Sequence, residues 1–246
     1  MITVIIPTLQ KNKEVLYNLI DSLDTDKSVG EIIIIDNSLK GFEYISQKVR
    51  VITPKENLFV NPSWNLGVKE AKFDIVALFN DDIAVCENFC SSVISKMTPE
   101  MGIIGFNSTD FMTVCSDFKK QPAQNKITLE EIKYMDKYFG VAMFFFKNNY
   151  VPIPNEIKNV YGDAWLINQC WRKKKKNYRI NGQQIFHIGS LSSSNPKLKP
   201  ICKSDAKIYR KAITTIKDRL FSFEEHWDCF KFRFLGLTFK IKKRKR

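Results

Sequence analysis

Apolar residues fall in short runs that stop at polar ones, and these runs alternate with stretches of helical spacing. Residues 2–8, ITVIIPT, are rich in β-branched side chains and reach Pro7, as a buried strand feeding a loop does. Over 11–23, Val15, Leu16, Leu19, Ile20 and Leu23 share one face and predict a helix. EIIIIDNS (31–38) predicts a second buried strand, and VRVITP (49–54) a third. Trp64, Leu66 and Val68 predict a helix over 61–71, with Gly67 speaking against it, and FDIVALF (73–79) a fourth strand. Strand, helix, strand, strand, helix, strand is the order of an α/β fold. It implies an open, mostly parallel twisted sheet flanked by helices, with ligand loops at the carboxyl ends of its strands.

Farther along, the pattern predicts a helix over 86–97, a strand over 102–106, a helix over 127–135 and a strand over 140–148. A turn around Gly162 precedes a helix reaching 176. Strands then follow within 178–190, with Asn181–Gly182 read as the turn between them. Residues 203–226 read as a largely polar helix. The expected organisation is one domain over 1–200 and a C-terminal helical extension over 201–246 that ends in a basic amphipathic tail. The boundary is expected near SSSNPKLKP (192–200).

Composition narrows the class. With 246 residues, 44% hydrophobic content and 19 Phe, the chain can bury a large core, which excludes a disordered protein. No apolar run approaches the roughly 20 residues needed to cross a bilayer. The start, MITVIIPTLQ, has no basic segment or cleavage site, so a cytoplasmic protein is expected. Six scattered cysteines without a CxxC pair suit reduced thiols. Cys86 and Cys90, four apart, lack the two further ligands zinc requires. The net charge of +13 sits in two places, WRKKKKNYR (171–179) and the tail 228–246, and the rest of the chain is neutral. A nucleic acid or an anionic membrane would each suit such a distribution.

One stretch does not fit a simple strand. VALFNDDIAV (76–85) drives an apolar run into Asn80, Asp81 and Asp82 and then resumes it. Adjacent carboxylates resist burial unless a cation or hydrogen bonds compensate them, although Asn/Asp clusters also form ordinary turns. Pro7–Thr8 and Asp36–Asn37 also end strands, so three polar clusters meet on one sheet edge. That convergence favours a site over a turn.

The ordered set VIIPTLQKN, EIIIIDNS, NPSWNLGVKEAKFDIVALFNDDI, GVAMFFFKN, YGDAWL and FHIGS covers most of residues 2–190. It resembles the GT-A nucleotide-sugar glycosyltransferases, specifically the large inverting family two. The resemblance implies a GT-A-like sheet and an enzyme moving a sugar from a nucleotide-diphospho donor to a glycan or lipid-linked acceptor. It implies that Pro7, Thr8 and Asp36 contact the nucleoside and that Asp81 faces ribose or sugar. Asn65 is implied as a donor-pocket residue, with Trp64 beside it. NDD takes the place of a DxD metal motif, so Asp82 is the expected ligand of a divalent metal (manganese or magnesium), joined by His187 of FHIGS. Asn80 replaces the first acid of that motif. Asp163 of YGDAWL is implied as the general base of an inverting transfer, and Trp165 as a platform for a sugar ring. His226 matches nothing in the family.

A sugar nucleotidyltransferase on a similar sheet is the alternative. It calls for a Gly-rich basic loop after the first strand, and PTLQKNKEV contains no glycine. A basic nucleic-acid-binding protein is the third reading, and no known nucleic-acid motif surrounds Arg172–Lys176, so no nucleic acid is expected. The tail FKFRFLGLTFKIKKRKR mixes apolar anchors with cations. It implies an anionic membrane surface and peripheral placement on the inner face of a membrane.

Overall fold

A computed structural model of the chain describes residues 1–106, 111–113, 124–133, 139–183, 185–187, 196–214, 221–225, 229–234 and 237–242. In chain order the first half gives β1 (Ile2–Thr8), α1 (Lys13–Thr25), β2 (Val29–Asp36), β3 (Val49–Ile52), α2 (Val60–Glu70), β4 (Ile75–Phe79), β5 (Ile83–Ala84), α3 (Phe89–Ile94) and β6 (Met101–Phe106). Next come β7 (Phe111–Thr113), β8 (Gln124–Ile132), β9 (Ala142–Phe146), α4 (Gly162–Arg172), β10 (Lys176–Gln183), β11 (Ile185–His187) and α5 (Lys199–Ile213). The chain divides into two compact units, Met1–Ala206 and Lys207–Arg246.

An eight-stranded sheet in the order β3-β2-β1-β4-β9-β6-β10-β8 organises the first unit. β3, β2, β1 and β4 run parallel, while β9 runs against both of its neighbours and β8 against β10. β1 and β2 are buried on both faces, which is why their sequences are continuous apolar runs. Val15, Leu16, Leu19, Ile20 and Leu23 of α1 are all buried, as their spacing requires. Gly67 belongs to α2 for a packing reason. A Cβ there would collide with Ile5 of β1, so the helix lies on the sheet only because that position has no side chain. After β1 the chain builds β2 and β3 to one side, then returns as β4 on the other. The carboxyl ends of β1 and β4 therefore flank a topological switch point.

Three sequence expectations are overturned. The helix expected over 127–135 is the edge strand β8 as far as Ile132, and residues 134–135 lie outside the described ones. Its charged positions serve the strand, since Glu130 and Glu131 pair across to Arg179 and Lys176 of β10. Asn181–Gly182 is not a hairpin turn. β10 runs through it, Gly182 sits at φ +83°, and the pairing with β8 shifts register there, which is a bulge. The helix over 203–226 ends at Ile213, and residues 221–225 form a strand, in keeping with the period-two alternation of FSFEE. Residues 215–220 and His226 lie outside the described ones.

The second unit carries a three-stranded antiparallel sheet, β12 (Phe221–Glu225), β13 (Cys229–Phe234) and β14 (Leu237–Lys242). Its register sorts the faces. Phe230↔Ile241, Phe232↔Phe239 and Phe234↔Leu237 lie on one side, and Lys231↔Lys240 lies on the other. Leu237 and Ile241 are more than 60% exposed. No helix among the described residues is long and apolar enough to cross a membrane.

Candidate active site

The switch point brings the ends of β1 and β4 into direct contact. Thr8 ends β1, and its hydroxyl donates to Asp81 Oδ2 across 2.6 Å while accepting from the Gln10 amide at 2.8 Å. Burial pushes the Asp81 carboxyl up to about 6 despite the Thr8 hydrogen bond, and the neighbouring Asp82 charge adds to the rise. Asp82 is buried, and its Oδ1 receives no hydrogen bond. β11 pairs with β5 so that His187 stands opposite Ile83, which brings His187 Nε2 to 3.2 Å from that oxygen.

An unsatisfied buried carboxylate oxygen beside an imidazole nitrogen fits a hard divalent cation that takes its remaining ligands from substrate and water. Among the described residues no cluster of three His, Cys, Asp or Glu side chains forms a complete protein cage. Asn80 adds no charge; its amide donates to Val141 O at 3.0 Å and fixes the loop to the start of β9.

Pro7, Thr8, Asp81 and Asp82 line an open cleft of about 680 Å³. Of its other walls, the sequence reading singled out Asn37, through the Asp36–Asn37 strand end. Asn37, Asn57, Phe59 and Asn159 also line it, as does Leu198 from the turn before α5, while the Asn37 carboxamide itself donates to Ser63 Oγ and accepts from Leu58 N. The only signal for the asparagines was their place in loops after strands. Nothing in the local pattern marked Leu198, which is 190 positions from Thr8 in the numbering.

Asp36 and Asn65 have other surroundings. Asp36 is fully buried and accepts from Ser38 N and Oγ through Oδ1. Burial works to raise its carboxyl, but hydrogen bonds from Ser38 and Gln10 prevail and hold it below the usual carboxylate range. It is its neighbour Asn37 that lines the cleft. Asn65 ties α2 to the segment before α4. It donates to Ile153 O and Asn155 Oδ1 and accepts from Tyr150 Oη and Ile153 N.

Asp163 lies in the first turn of α4, where the helix dipole favours an acid. Its Oδ1 accepts from the Ala164 amide at 2.7 Å, and its carboxyl lies against Gly140, where a Cβ would crowd it. Gly140 precedes Val141, the residue that holds Asn80. Asp163 thus borders the backbone supporting the acidic loop and does not line the cleft itself. Burial pushes its carboxyl up, against the amides of Ala164 and Gly140. Trp165 donates from its indole nitrogen to Val151 O.

The family model described as Glycosyl transferase family 2 matches residues 3–171. No curated protein sequence matches the chain. Among solved structures, the chain is similar to the crystal structure of GalNAc-T7 with UDP, GalNAc and Mn2+, with a TM-score of 0.58 and 12% identity. The match covers 85% of this chain and 47% of that one, so this chain spans about half the length of the other. At that identity the likeness establishes the GT-A fold.

Proposed function

The chain belongs to glycosyl transferase family 2 and is a glycosyltransferase by that membership, and we propose that it transfers a sugar, with inversion, from a nucleotide-diphospho donor to a hydroxyl of a glycan or lipid-linked acceptor. The observation that carries this reading is the cluster at the switch point, where Thr8, Asp81, Asp82 and His187 meet beside an open cleft.

In this mechanism the donor nucleoside lies in the cleft against Pro7, Thr8 and the loop amides, with Asp36 holding that loop from beneath. Asp81, hydrogen-bonded to Thr8, faces ribose or sugar. Asp82 and His187 would hold a divalent cation, which when bound neutralises charge on the leaving diphosphate. Asp163 takes the acceptor hydroxyl proton as the oxygen attacks the anomeric carbon from the face opposite the diphosphate. The electron pair of the breaking carbon–oxygen bond leaves with the nucleoside diphosphate. Burial gives Asp163 the raised proton affinity that suits a base.

The acceptor side of the proposal includes an anionic membrane surface. The apolar face of the β12–β14 sheet, backed by lysines, supports it. The donor is identified by a thermal-shift screen of nucleotide sugars with and without manganese. A true donor raises the melting temperature by mass action, and more so with the metal. A flat response to every nucleotide sugar, together with a shift on adding oligonucleotide, would overturn the reading.

A further inference from the structure

Residues 158–160 point three consecutive backbone amides toward one carboxylate. Asp205, midway along α5 and fully buried, accepts from Lys158 N through Oδ1 at 2.9 Å. Its Oδ2 accepts from Asn159 N at 2.7 Å and Val160 N at 3.0 Å. Successive amides turned inward form an anion-binding nest, and here a side chain of the same protein fills it. A buried carboxylate is a poor choice for stability alone, because a well-packed apolar residue often serves as well. What it provides is direction: it fixes the orientation of three peptide units at once.

The segment so fixed is the one that matters to the site. Asn159 lines the cleft, Tyr161 follows in a left-handed conformation at φ 66°, and Gly162 and Asp163 begin α4. From the other side Asn61 grips the same loop, donating to Ile157 O at 3.0 Å and Val160 O at 3.1 Å, and its Oδ1 lies where a Cβ on Gly162 would collide with it. Phe59, also on the cleft, sits at φ 64° with Lys158 Nζ 5.1 Å from its ring centre. Non-glycine residues persist in such conformations only where the surroundings over-determine them, and they gather at functional sites. Both facing loops carry one.

We propose that Asp205 is a positioning residue that sets Asn159 and Asp163, so that α5, outside the family-matched span, completes the active site. What the positioned loop does rests on the glycosyltransferase reading; the clamp itself does not.

The test uses the full chain and Asp205→Asn, with Asp205→Glu as a second variant should the first fail to fold by circular dichroism. Hydrogen exchange reads the clamp directly. Amides 158–160 should exchange at least about tenfold faster in the variant while β1 and β4 stay protected. Binding of adenosine, cytidine, guanosine and uridine diphosphate, each with manganese, reads positioning. Affinity for the diphosphate that binds wild type should fall about fivefold or more. In an Asn159→Ala background the further fall should be under about twofold, because the effect passes through Asn159. Unchanged exchange, affinity within twofold of wild type, or a fall fully additive with Asn159→Ala would each overturn the proposal. Wild-type protein that binds none of the four would instead fail the glycosyltransferase reading, and the exchange result then decides the clamp alone.

Discussion

Asp163 carries opposing demands in one carboxyl. Burial raises its proton affinity above the ordinary 3.8, so the folded state holds the proton after the unfolded chain has released it. Stability therefore falls as pH climbs from 3.8 through the folded value. Asp163→Asn should abolish transfer, keep nucleotide affinity, and raise the melting temperature at neutral pH by about a few degrees. That gain should vanish in melts taken below 3.8. A variant that is fully active, or less stable at neutral pH, would count against the assignment. At this scale the sequence was legible where chemistry sits at a strand end. Thr8, Asp81 and Asp82 meet because β1 and β4 are neighbours, which the alternation of elements implies. Asp36 shows the limit, since its partner Ser38 is a local turn residue two positions on, whereas Gln10 comes from another loop whose approach no local pattern encodes.

Between elements, a single buried acid fastens α1 to α3. Asp26, just past the end of α1, accepts from Ser28 N at 2.9 Å, from Ser91 N at 3.0 Å and from the Ser91 hydroxyl. Burial raises its carboxyl, yet hydrogen bonds from Ser91 and Ser28 outweigh that and hold it below 3.8. The sign is opposite to that of Asp163: this stability is present above 3.8 and is lost as pH falls through the lower folded value. Asp26→Asn should cost about 1–3 kcal/mol at neutral pH in denaturant melts, with the difference shrinking in acid. An undiminished difference in acid would refute the linkage. Elements buried on both faces were readable because continuous apolar runs leave few choices. β8 was not, because Ile127, Glu130, Glu131 and Ile132 match helical spacing as well as a charged edge strand. The choice was made by Arg179 and Lys176 across the ladder. The Asn-Gly pair was a true signal for positive φ, but the chain used it for a bulge.

For the whole molecule, the two-faced sheet of the second unit makes the membrane proposal specific. Phe232→Glu and Phe239→Glu, directly paired on the apolar face, should each weaken flotation with phosphatidylglycerol vesicles at least about fivefold. Neutralising Lys240, on the other face, should reduce only the dependence on anionic lipid. Binding that survives both Phe changes would refute the surface. The eight-stranded sheet carries a different consequence, one of timing. β9 lies between β4 and β6, so β4 leaves the ribosome with one bare edge and keeps it until residues 142–146 have been made. During that interval Ala77 and Leu78, among the most apolar backbone in the chain, present unpaired amides to any passing strand. Cells that make this protein quickly therefore face their greatest risk of aggregation before the sheet is sealed, in a half-made chain whose cleft is already taking shape.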